Sequence, residues 1–467
     1  MNDESKVLIL GGGISGLSTA WFLHRRGVAV EVLDVGARPG GSIRTSLRQG
    51  YLVEHGPNST LQKPGGKDDA LGRMVDDLEI GGRLIEAAPA GAKRYVMREG
   101  RLHPLPASPL TFLTTPIFSP LAKLRLPREI VTGWVDHEES IADFVRRRLG
   151  RDFLTYAIEP FISGVFAGDP EQLSIQAAVP RIYGLEQQYG TLIVAAIMEG
   201  KAAKAMGSPS GRLVTFDEGM EVLPATIAEK LPSGTVRGGT EVIGLRPGEG
   251  GIWHAHWRTA QGESGVSSAR RVVLALPALA AASVLFPVAP AASQALSSLA
   301  YAPIASVALG YSRDRIAHPL DGFGFLLPRK EKIRLLGALF SSSLFPDRAQ
   351  AHKVLLTAFI GGAMDPSALN LPDERLIGQV HEDVARCLGI QGEPEFVRLT
   401  RYQRAIPQYH LGHLARIEAL DRALEPFPGL HTRANWRDGI SVSQCVRNGE
   451  LLAKRLTGEE EEEEHSA

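Results

Sequence analysis

The pattern of apolar and polar residues at the start of the chain predicts two strands around a helix. Residues Lys6 to Leu10 form a β-rich apolar run that stops at the glycine-rich stretch from Gly11 to Gly16. Apolar side chains then recur at helical spacing until Gly27. A second apolar run, Val28 to Leu33, ends at Asp34. The order is therefore strand, glycine turn, helix and strand.

Later apolar runs predict further strands and a final helix. Thr240 to Leu245 reads as a strand, and the residues around Trp253 to Trp257 alternate as in a half-exposed hairpin. Arg270 to Leu276 contains the apolar run Val272 to Leu276, which is typical of a buried strand. Gly429 to Trp436 reads as a strand that runs into a loop, and Cys445 to Leu456 as a helix. By themselves these patterns indicate ordinary sheet packing.

One apolar segment raises the question of a membrane span. Val272 to Ala292 is almost free of charge over about the length that crosses a bilayer. It contains a run of alanines and three prolines, namely Pro277, Pro287 and Pro290. Because proline interrupts a helix, we expect a short buried strand, a turn and a helix in this segment, not one spanning helix.

Composition and charge exclude several classes of protein. The 467 residues include 51 Lys and Arg against 52 Asp and Glu, so the basic surplus of a nucleic-acid-binding protein is missing. With 44% hydrophobic and 22% charged residues, the chain is globular and has the length of about three domains. Two cysteines, Cys387 and Cys445, are too few for a disulfide framework or a zinc site. The N-terminus has acids where a signal peptide needs positive charge, and we expect a cytoplasmic protein.

The glycine turn has the spacing of a dinucleotide-binding site. Glycines allow the tight turn, let the backbone approach a pyrophosphate, and let the helix pack closely on its strand. The helix N-terminus then presents unpaired N–H groups and the positive end of its dipole to the phosphates. Asp34 lies 23 residues after Gly11, where its carboxylate can accept hydrogen bonds from ribose hydroxyls. These features predict a nucleotide cofactor.

A second glycine pair follows the acid. The segment from Arg38 to Thr45 contains Gly40 and Gly41, and with the first motif it resembles the flavin-dependent amine oxidase and desaturase superfamily. The resemblance implies FAD and not NAD, bound by a discontinuous domain to which the later strands return. Neither cysteine has the Ser-Gly-Gly-Cys context of covalent flavin attachment, so we expect FAD to be bound non-covalently.

Longer blocks are similar to one family in this superfamily, protoporphyrinogen oxidase. They follow the family's order over nearly the whole chain, from about Val7 to about Leu456. The blocks are Gly50 to Ser59, Ala92 to Pro106, Ser163 to Ser174, Gly322 to Pro328, Leu336 to Ser342, Phe345 to Arg348 and Ile406 to Tyr409.

The resemblance implies a porphyrinogen substrate that loses six electrons to become the conjugated porphyrin. Hydride would be accepted at flavin N5, and molecular oxygen would reoxidise the flavin and leave as hydrogen peroxide. The cofactor carries this chemistry, so no catalytic side chain and no metal are assigned. Protoporphyrinogen IX is the expected substrate. Coproporphyrinogen III, which has two propionates in place of two vinyl groups, remains an alternative.

The resemblance also assigns cofactor-binding residues. They comprise the first glycine turn and Asp34, the second glycine pair, the segment after Glu54, and later single positions. They are Gly11, Gly12, Gly13, Ile14, Ser15, Gly16, Asp34, Gly40, Gly41, Ser42, Gly56, Pro57, Asn58, Ser59, Val242, Tyr402, Ile440, Ser441 and Val442.

On the substrate side, the resemblance implies one charged contact and several apolar ones. Arg94 would hold a propionate through two parallel hydrogen bonds. Apolar side chains would sandwich the macrocycle, and two glycines would bring backbone close to the pyrrole rings. These residues are Leu326, Leu339, Phe359, Gly164 and Gly168.

The expected fold class is α/β (α+β), with three parts. A Rossmann-like FAD-binding domain takes residues 1–85, 206–285 and 426–458, and a sheet-based substrate domain takes 286–425. A helical subdomain takes 86–205, and 459–467 form a disordered acidic tail. Pro104 to Val131, rich in Pro, Leu and Phe, resembles the family's membrane-docking region; the alternative is a helical cover for the active site. Peripheral membrane contact and a homodimer are left open as expectations.

Some residues depart from the family's pattern or invite other interpretations. Ala434 replaces an expected glycine, and Gln444 replaces an expected acid before Cys445, which would change how the flavin is held. His410 and His413 have no third ligand nearby in sequence and are interpreted as structural. An amine oxidase or a carotenoid desaturase is disfavoured by the blocks. A non-catalytic FAD-binding or assembly protein is kept open by the altered C-terminal block.

Overall fold

A parallel five-stranded sheet forms the base of the fold in the computed structural model, which describes residues 6–63, 69–196, 198 and 211–459. Its first strand, Val7–Leu10, pairs in parallel with Val30–Leu33, and helix Ile14–Arg25 connects the two. All four side chains of the first strand are buried, which explains its unbroken apolar run. The predicted strand, turn, helix and strand are therefore present.

Distant parts of the chain complete this sheet. Arg271–Leu274 pairs in parallel with the other edge of the first strand, and Leu430–Thr432 pairs with Arg271–Leu274. Val236–Arg237 extends the opposite edge. The long C-terminal helix, Val442–Thr457, packs closely on the first helix, since a Cβ on its Gly449 would lie 2.9 Å from the Cβ of Ser18. The sheet is thus assembled from separated stretches of chain, and the predicted α/β class is confirmed.

A seven-stranded sheet forms the second large unit. Its strands, in spatial order, are Phe396–Pro407, Tyr301–Ser312, Lys353–Gly361, Leu335–Leu339, Gly324–Leu326, Tyr95–Arg98 and Arg101–Pro104. Helix Asp373–Leu388 covers one face through buried Leu376, Val380 and Val384, which join a core with Phe325 and Ala358. The last two strands of the sheet lie within the segment 86–205 that was expected to be helical.

Smaller sheets link the two units. Thr45–Arg48 and Tyr51–Glu54 form a hairpin. Arg212–Phe216 lies between Thr60–Gln62 and Leu84–Glu86. A meander of Thr240–Pro247, Trp253–Thr259 and Ser264–Ala269 contains the predicted hairpin around Trp253.

Short helices form a region with its own core, from which Leu154–Ile158 and Glu159–Phe166 contact strands of the seven-stranded sheet. They are Pro109–Thr114, Pro120–Arg125, Ile141–Arg148, Arg151–Phe153, the π-helical Leu154–Ile158, Glu159–Phe166, Ile175–Ala178 and Pro180–Tyr189. The other α-helices are Ala70–Asp77, Val222–Lys230, Ala278–Leu285, Pro290–Ser297, Ser341–Leu344, His413–Leu424 and Asn435–Asp438.

The uncharged segment after Val272 folds as expected into a strand, a turn and the helices Ala278–Leu285 and Pro290–Ser297. Among the described residues, no helix is both long and apolar enough to cross a membrane. Glu459 belongs to the described part of the chain and pairs with Arg26 at 2.8 Å. The remainder of the expected acidic tail, residues 460–467, lies outside the described residues.

Candidate cofactor and substrate site

The first glycine turn is crowded at Gly11, Gly12 and Gly16 and open at Gly13. Gly11 has a φ of +109°, and a Cβ there would lie 2.7 Å from the carbonyl oxygen of Ala275. A Cβ at Gly16 would lie 2.0 Å from the carbonyl oxygen of Gly11, so the helix can approach its strand only without that atom. A Cβ at Gly13 would meet nothing within 4 Å. The turn therefore leaves an open space beside Gly13.

The helix after this turn begins beside that space. Gly13 is the N-cap and offers no side chain, and the first turn contains no acid. The N–H groups of the first helical turn have no partner inside the helix, so they are available to an external acceptor. Together with the positive end of the helix dipole, they suit a phosphate group. The open space and the donors fit the pyrophosphate of a dinucleotide.

Asp34 lies at the end of the second strand, as predicted. Its Oδ2 accepts a hydrogen bond from the Gly12 N–H at 2.6 Å, and its Oδ1 accepts one from Gly36 at 2.8 Å. The two bonds orient the half-buried carboxylate and leave lone pairs for further donors such as ribose hydroxyls. The Asp34 carbonyl accepts the Thr240 N–H at 2.7 Å, which brings the start of the strand containing Val242 to the same end of the sheet.

The second glycine pair lies against the first turn. The Gly40 N–H donates to the Gly12 carbonyl at 2.7 Å, and a Cβ on Gly41 would lie 3.2 Å from the Gly13 Cα. A Cβ on Gly56 would lie 2.1 Å from the Ser42 carbonyl oxygen, so the segment that begins there runs directly behind the glycine pair. The structure thus brings together three segments assigned to the cofactor, 11–16, 40–42 and 56–59.

The C-terminal helix is held at the same place by its first turn. Ser441 caps the helix by accepting the Gln444 N–H at 3.2 Å, and the Gln444 amide oxygen accepts the Ser441 N–H at 3.2 Å. The Ser443 N–H donates to the Thr60 hydroxyl at 3.2 Å, directly after the 56–59 segment. Gln444 therefore has a structural role as half of a capping box, which a neutral amide fulfils as well as an acid.

The loop before this helix is fixed by residues to which the sequence analysis assigned no role. The Tyr409 hydroxyl accepts the Gly439 N–H at 2.7 Å and donates to the Asn435 carbonyl. The Asn448 amide donates to the Asp438 carbonyl at 3.0 Å. Burial raises the pKa of the Tyr409 hydroxyl above its usual range, so it stays protonated. These contacts position Ile440, the residue before the cap.

Ala434 and Cys445 are both buried in this region. Ala434 precedes the short helix Asn435–Asp438, whose Trp436 is fully buried and donates its indole N–H to the Leu276 carbonyl at 2.9 Å. Burial raises the pKa of the Cys445 thiol to about 11, while a hydrogen bond with Ser15 acts in the opposite direction. The thiol therefore stays protonated next to the first helical turn.

The His413 ring is packed against protein groups, and the interpretation of His410 and His413 as structural residues stays a prediction. The His413 ring stacks on Tyr409 at 4.2 Å between centroids, and its Nε2 lies 3.0 Å from the Arg437 carbonyl. Burial lowers the pKa of both imidazoles. Among the described residues, no group of three or more His, Cys, Asp or Glu side chains is arranged to hold a metal ion.

The register of the seven-stranded sheet brings the expected apolar substrate residues onto one face. Leu326 lies opposite Gly337, and Gly337 opposite Phe359, in a continuous row across three strands. Leu339 lies two residues along from Gly337 and so points to the same face. This face is opposite to the one that packs on helix Asp373–Leu388, and all three large side chains are only partly buried.

Helix Glu159–Phe166 packs on this apolar face. A Cβ on Gly164 would lie 2.7 Å from the Leu326 Cδ2, so the glycine permits close contact between the helix and the sheet. Gly168 is crowded for a different reason, since a Cβ there would lie 2.6 Å from Leu173 and 2.7 Å from the Gln408 Oε1. The contacts of Gly168 are therefore with protein side chains, and its role towards a substrate stays a prediction.

Tyr402 and Arg94 lie at the edges of this face. Tyr402 is opposite Ile304, and burial raises the pKa of its hydroxyl while the charge of Arg44, from the glycine-pair segment, lowers it. Tyr402 therefore lies within electrostatic reach of the cofactor segments. Arg94 is exposed one residue before Tyr95–Arg98, with its guanidinium carbon 5.2 Å from the centre of the Phe323 ring.

The cofactor and substrate halves meet at a small enclosed cavity. Its volume is about 10 Å³, and Asn58 from the cofactor segment and Leu339 from the substrate face both line it. The other lining residues are Leu52, Glu54, Ser341, Leu344, Phe345, Arg348, Leu355 and Thr357. One residue predicted for each ligand, Asn58 and Leu339, therefore lies at the same small cavity.

A dinucleotide turn with an acid at the end of the second strand, a second glycine pair and an adjoining apolar face define an FAD-dependent oxidoreductase. The family described as flavin containing amine oxidoreductase matches residues 14–457. The chain belongs to this family.

Individual relatives agree with this assignment. The chloroplastic protoporphyrinogen oxidase of Nicotiana tabacum is 33% identical over 97% of this chain and 86% of its own length. The coproporphyrinogen III oxidase of Bacillus subtilis is 30% identical over 96% of this chain and 97% of its own. A crystal structure described as "Putative protoporphyrinogen oxidase" from Exiguobacterium has a TM-score of 0.81 at 23% identity, covering 97% of this chain and 99% of that one. The sequence-based family assignment and the FAD cofactor are confirmed.

Proposed function

We propose that this protein oxidises protoporphyrinogen IX to protoporphyrin IX, with FAD as the electron acceptor and molecular oxygen as the final oxidant. The porphyrinogen loses six electrons and six protons, and three oxygen molecules become three of hydrogen peroxide. Bound FAD would supply the redox chemistry by accepting hydride equivalents at N5. Two supports are the names of the relatives and an apolar face beside the cofactor segments.

The part of the chain in this reaction is to orient the substrate and to exclude water. Leu326, Leu339 and Phe359 offer a flat apolar surface to a macrocycle, and Gly164 lets the covering helix come close to that surface. A dry pocket favours hydride transfer because water does not compete for reactive groups. No side chain is proposed as a general base.

The guanidinium of Arg94, free within the described part of the chain, is the observation that favours protoporphyrinogen IX as the substrate. Among the described residues, its guanidinium has no ion pair or hydrogen bond, and its contact is with the Phe323 ring. The neighbouring Lys93 is neutralised by Asp321 at 2.5 Å. Arg98 donates to the Ile117 carbonyl and stacks on the ring of Tyr156. An arginine without such partners at the edge of the face suits a propionate carboxylate, and we take protoporphyrinogen, with two propionates, as the first candidate before coproporphyrinogen, with four.

Coproporphyrinogen III is the second candidate, because the Bacillus subtilis relative of that name matches this chain over nearly its whole length. Initial rates with the two porphyrinogens, followed by porphyrin fluorescence, distinguish them. We expect a higher kcat/KM for protoporphyrinogen IX. A higher kcat/KM for coproporphyrinogen III would overturn the choice.

The Arg94 contact can be tested separately. We expect Arg94→Ala to raise KM about tenfold or more with a smaller change in kcat, since a charged hydrogen-bond pair contributes about 1.5–3 kcal/mol. Arg101→Ala, on the next strand, is the control and should leave KM unchanged. An unchanged KM in Arg94→Ala would remove the propionate assignment.

We also propose peripheral contact with a membrane from the cytoplasmic side. The segment 109–131 exposes large apolar side chains, with Leu110 72%, Leu113 64%, Leu121 65%, Leu124 78% and Val131 81% exposed. Basic residues in the same segment could face anionic lipid. Cosedimentation with phosphatidylglycerol vesicles should fall when Leu121 and Leu124 are both changed to Ser. Equal sedimentation of the variant and the wild type would reject this contact.

A further inference from the structure

The hairpin that leads into the 56–59 cofactor segment is attached to the substrate sheet at three points. The Tyr51 ring stacks on Phe396 with 4.8 Å between centroids, and its hydroxyl donates to Glu395. The His55 Nδ1 lies 2.8 Å from the Thr400 hydroxyl. Glu54, between these two, makes the third contact. The backbone that enters the cofactor segment is therefore fixed by residues of the other domain.

The third contact is a buried ion pair. The Glu54 Oε1 lies 3.2 Å from an Arg348 nitrogen, and both side chains are 3% exposed. Glu54 also accepts hydrogen bonds from the Thr45 hydroxyl at 2.7 Å and the Met220 N–H at 2.9 Å. Arg348 donates to the Thr215 hydroxyl at 2.6 Å. Each charge is thus held by fixed partners on several segments.

Arg348 connects this pair to the substrate face through a short stretch of chain. Strand Leu335–Leu339 carries Leu339 and is followed by Ser341–Leu344 and by the turn Pro346–Arg348. The enclosed cavity has Glu54 and Arg348 in its wall, and it separates Asn58 from Leu339. The ion pair therefore lines the same cavity as Asn58 of the expected flavin segment and Leu339 of the expected substrate face.

Stability alone is a weak reason for such a pair. Taking two charges out of water costs free energy that their attraction only partly returns, and apolar residues of the same volume would fill the site as well. The cost is visible in the pair itself, since burial raises the pKa of Glu54 to about 7 and lowers that of Arg348. What the pair adds is a fixed position and orientation of the two side chains. Glu54 accepts from three donors, and Arg348 is also bonded to Thr215.

We propose that Arg348 is a positioning residue: through Glu54, it fixes the 56–59 flavin segment at a set distance from the substrate face. Arg348 does not touch the reacting atoms. It acts on FAD through the backbone that follows Glu54, so loss of its geometry weakens FAD binding and alters the surroundings of the bound ring system. The proposal rests on the assignment of residues 56–59 to the flavin and is independent of which porphyrinogen is the substrate.

The test compares two identical substitutions in equally buried ion pairs. Arg348→Lys alters the pair beside the cofactor segment, and Arg148→Lys alters a buried ionic contact with Glu129 and Glu186 in the helical region, where all three side chains are at most 1% exposed. The Kd of FAD is measured well below the melting temperature by serial dilution of the holoprotein and recovery of flavin fluorescence. The visible absorption spectrum of bound flavin is recorded for each variant.

We expect Arg348→Lys to raise the FAD Kd at least fivefold over that of Arg148→Lys and to shift the flavin absorption bands, although both substitutions lower Tm. A ratio below fivefold overturns the proposal and leaves the pair a purely structural one. If Arg348→Lys does not fold, the FAD Kd of Glu54→Gln, which keeps the shape of the side chain, is measured instead. The same fivefold ratio to the Kd of Arg148→Lys then decides. No porphyrinogen is used, so the outcome does not depend on the proposed substrate.

Discussion

Individual glycines in the first turn have different structural roles. At Gly11 the backbone conformation and the Ala275 carbonyl both exclude a side chain, whereas Gly13 has an ordinary φ of -71° and open space around it. The sequence motif treats the two positions alike. The structure separates a glycine that the backbone requires, Gly11, from one beside open space, Gly13, where the predicted ligand contact can be tested.

This difference predicts opposite effects of the same substitution. Gly11→Ala should lower the unfolding free energy of the apoprotein by about 2 kcal/mol or more, because of the strained φ and the overlap with Ala275. Gly13→Ala should leave the Tm of the apoprotein nearly unchanged and raise the Kd of FAD at least tenfold. Thermal melting and flavin fluorescence titration check both. Wild-type FAD affinity in Gly13→Ala would show that the pyrophosphate does not lie there.

Another residue-scale prediction concerns pH. Burial lowers the pKa of His431 to about 4, with the charges of Arg455 and Arg271 acting in the same direction. Since the unfolded imidazole binds a proton below about 6.5, stability from this group is complete above that pH and is lost as pH falls towards 4. His431→Gln should therefore lose roughly 2 kcal/mol less unfolding free energy than the wild type between pH 7 and pH 5. Urea unfolding at both pH values measures the difference, and equal losses would contradict it.

At the scale of elements, the C-terminal helix gives Gln444 a role that the sequence analysis did not name. Gln444 departs from an expected acid and suggested an altered flavin contact, yet its amide completes a capping box with Ser441. The cap fixes the start of a helix whose first residues were assigned to the cofactor. Which residue fills the third helical position is therefore constrained by the helix itself.

The capping role predicts how substitutions rank. Gln444→Ala should lower the unfolding free energy by about 1 kcal/mol, since a helix donor loses its partner. Gln444→Glu keeps the reciprocal bonds and places negative charge at a helix N-terminus, so its stability should equal or exceed that of the wild type. Chemical denaturation of the apoprotein, with Gln403→Ala on an exposed strand position as control, checks the order. A stable Gln444→Ala would contradict it.

At the scale of the whole molecule, the separate hairpin of Thr45–Arg48 and Tyr51–Glu54 packs in a core of the seven-stranded sheet. Tyr51 and Val53 share a buried cluster with Ala308, Leu355 and Phe396 of the seven-stranded sheet. A site that lies between two sheets keeps its geometry only if they move together. The packing of the hairpin on the seven-stranded sheet therefore contributes both to stability and to the geometry of the candidate site.

We expect the wild type to unfold in one thermal transition seen alike by tryptophan fluorescence and circular dichroism. Tyr51→Ala should cost about 3–5 kcal/mol and separate the two signals, because it removes the ring that packs the hairpin on Phe396 of the seven-stranded sheet. Tyr311→Ala, a buried tyrosine inside the seven-stranded sheet that bonds His381, is the control. It should lower Tm and leave the signals coincident. Coincident signals in Tyr51→Ala would argue against the hairpin as the coupling element.

The sequence by itself determined the cofactor turn, the acid after the second strand, the α/β class and the family. These depend on short-range spacing, since the glycine turn and the strand and helix periodicities need only neighbours along the chain. It also named Leu326, Leu339 and Phe359, although only the register of the sheet brought them onto one face.

The tertiary structure alone decided which distant residues hold the site. The pair of Glu54 and Arg348, the bond from Gly439 to Tyr409 and the contact of Tyr51 with Phe396 join residues far apart in the chain. An arginine or a tyrosine has the same local appearance whether it is exposed or buried against a partner. Its role depends on packing between elements, and that packing has no signature in the spacing of neighbouring residues.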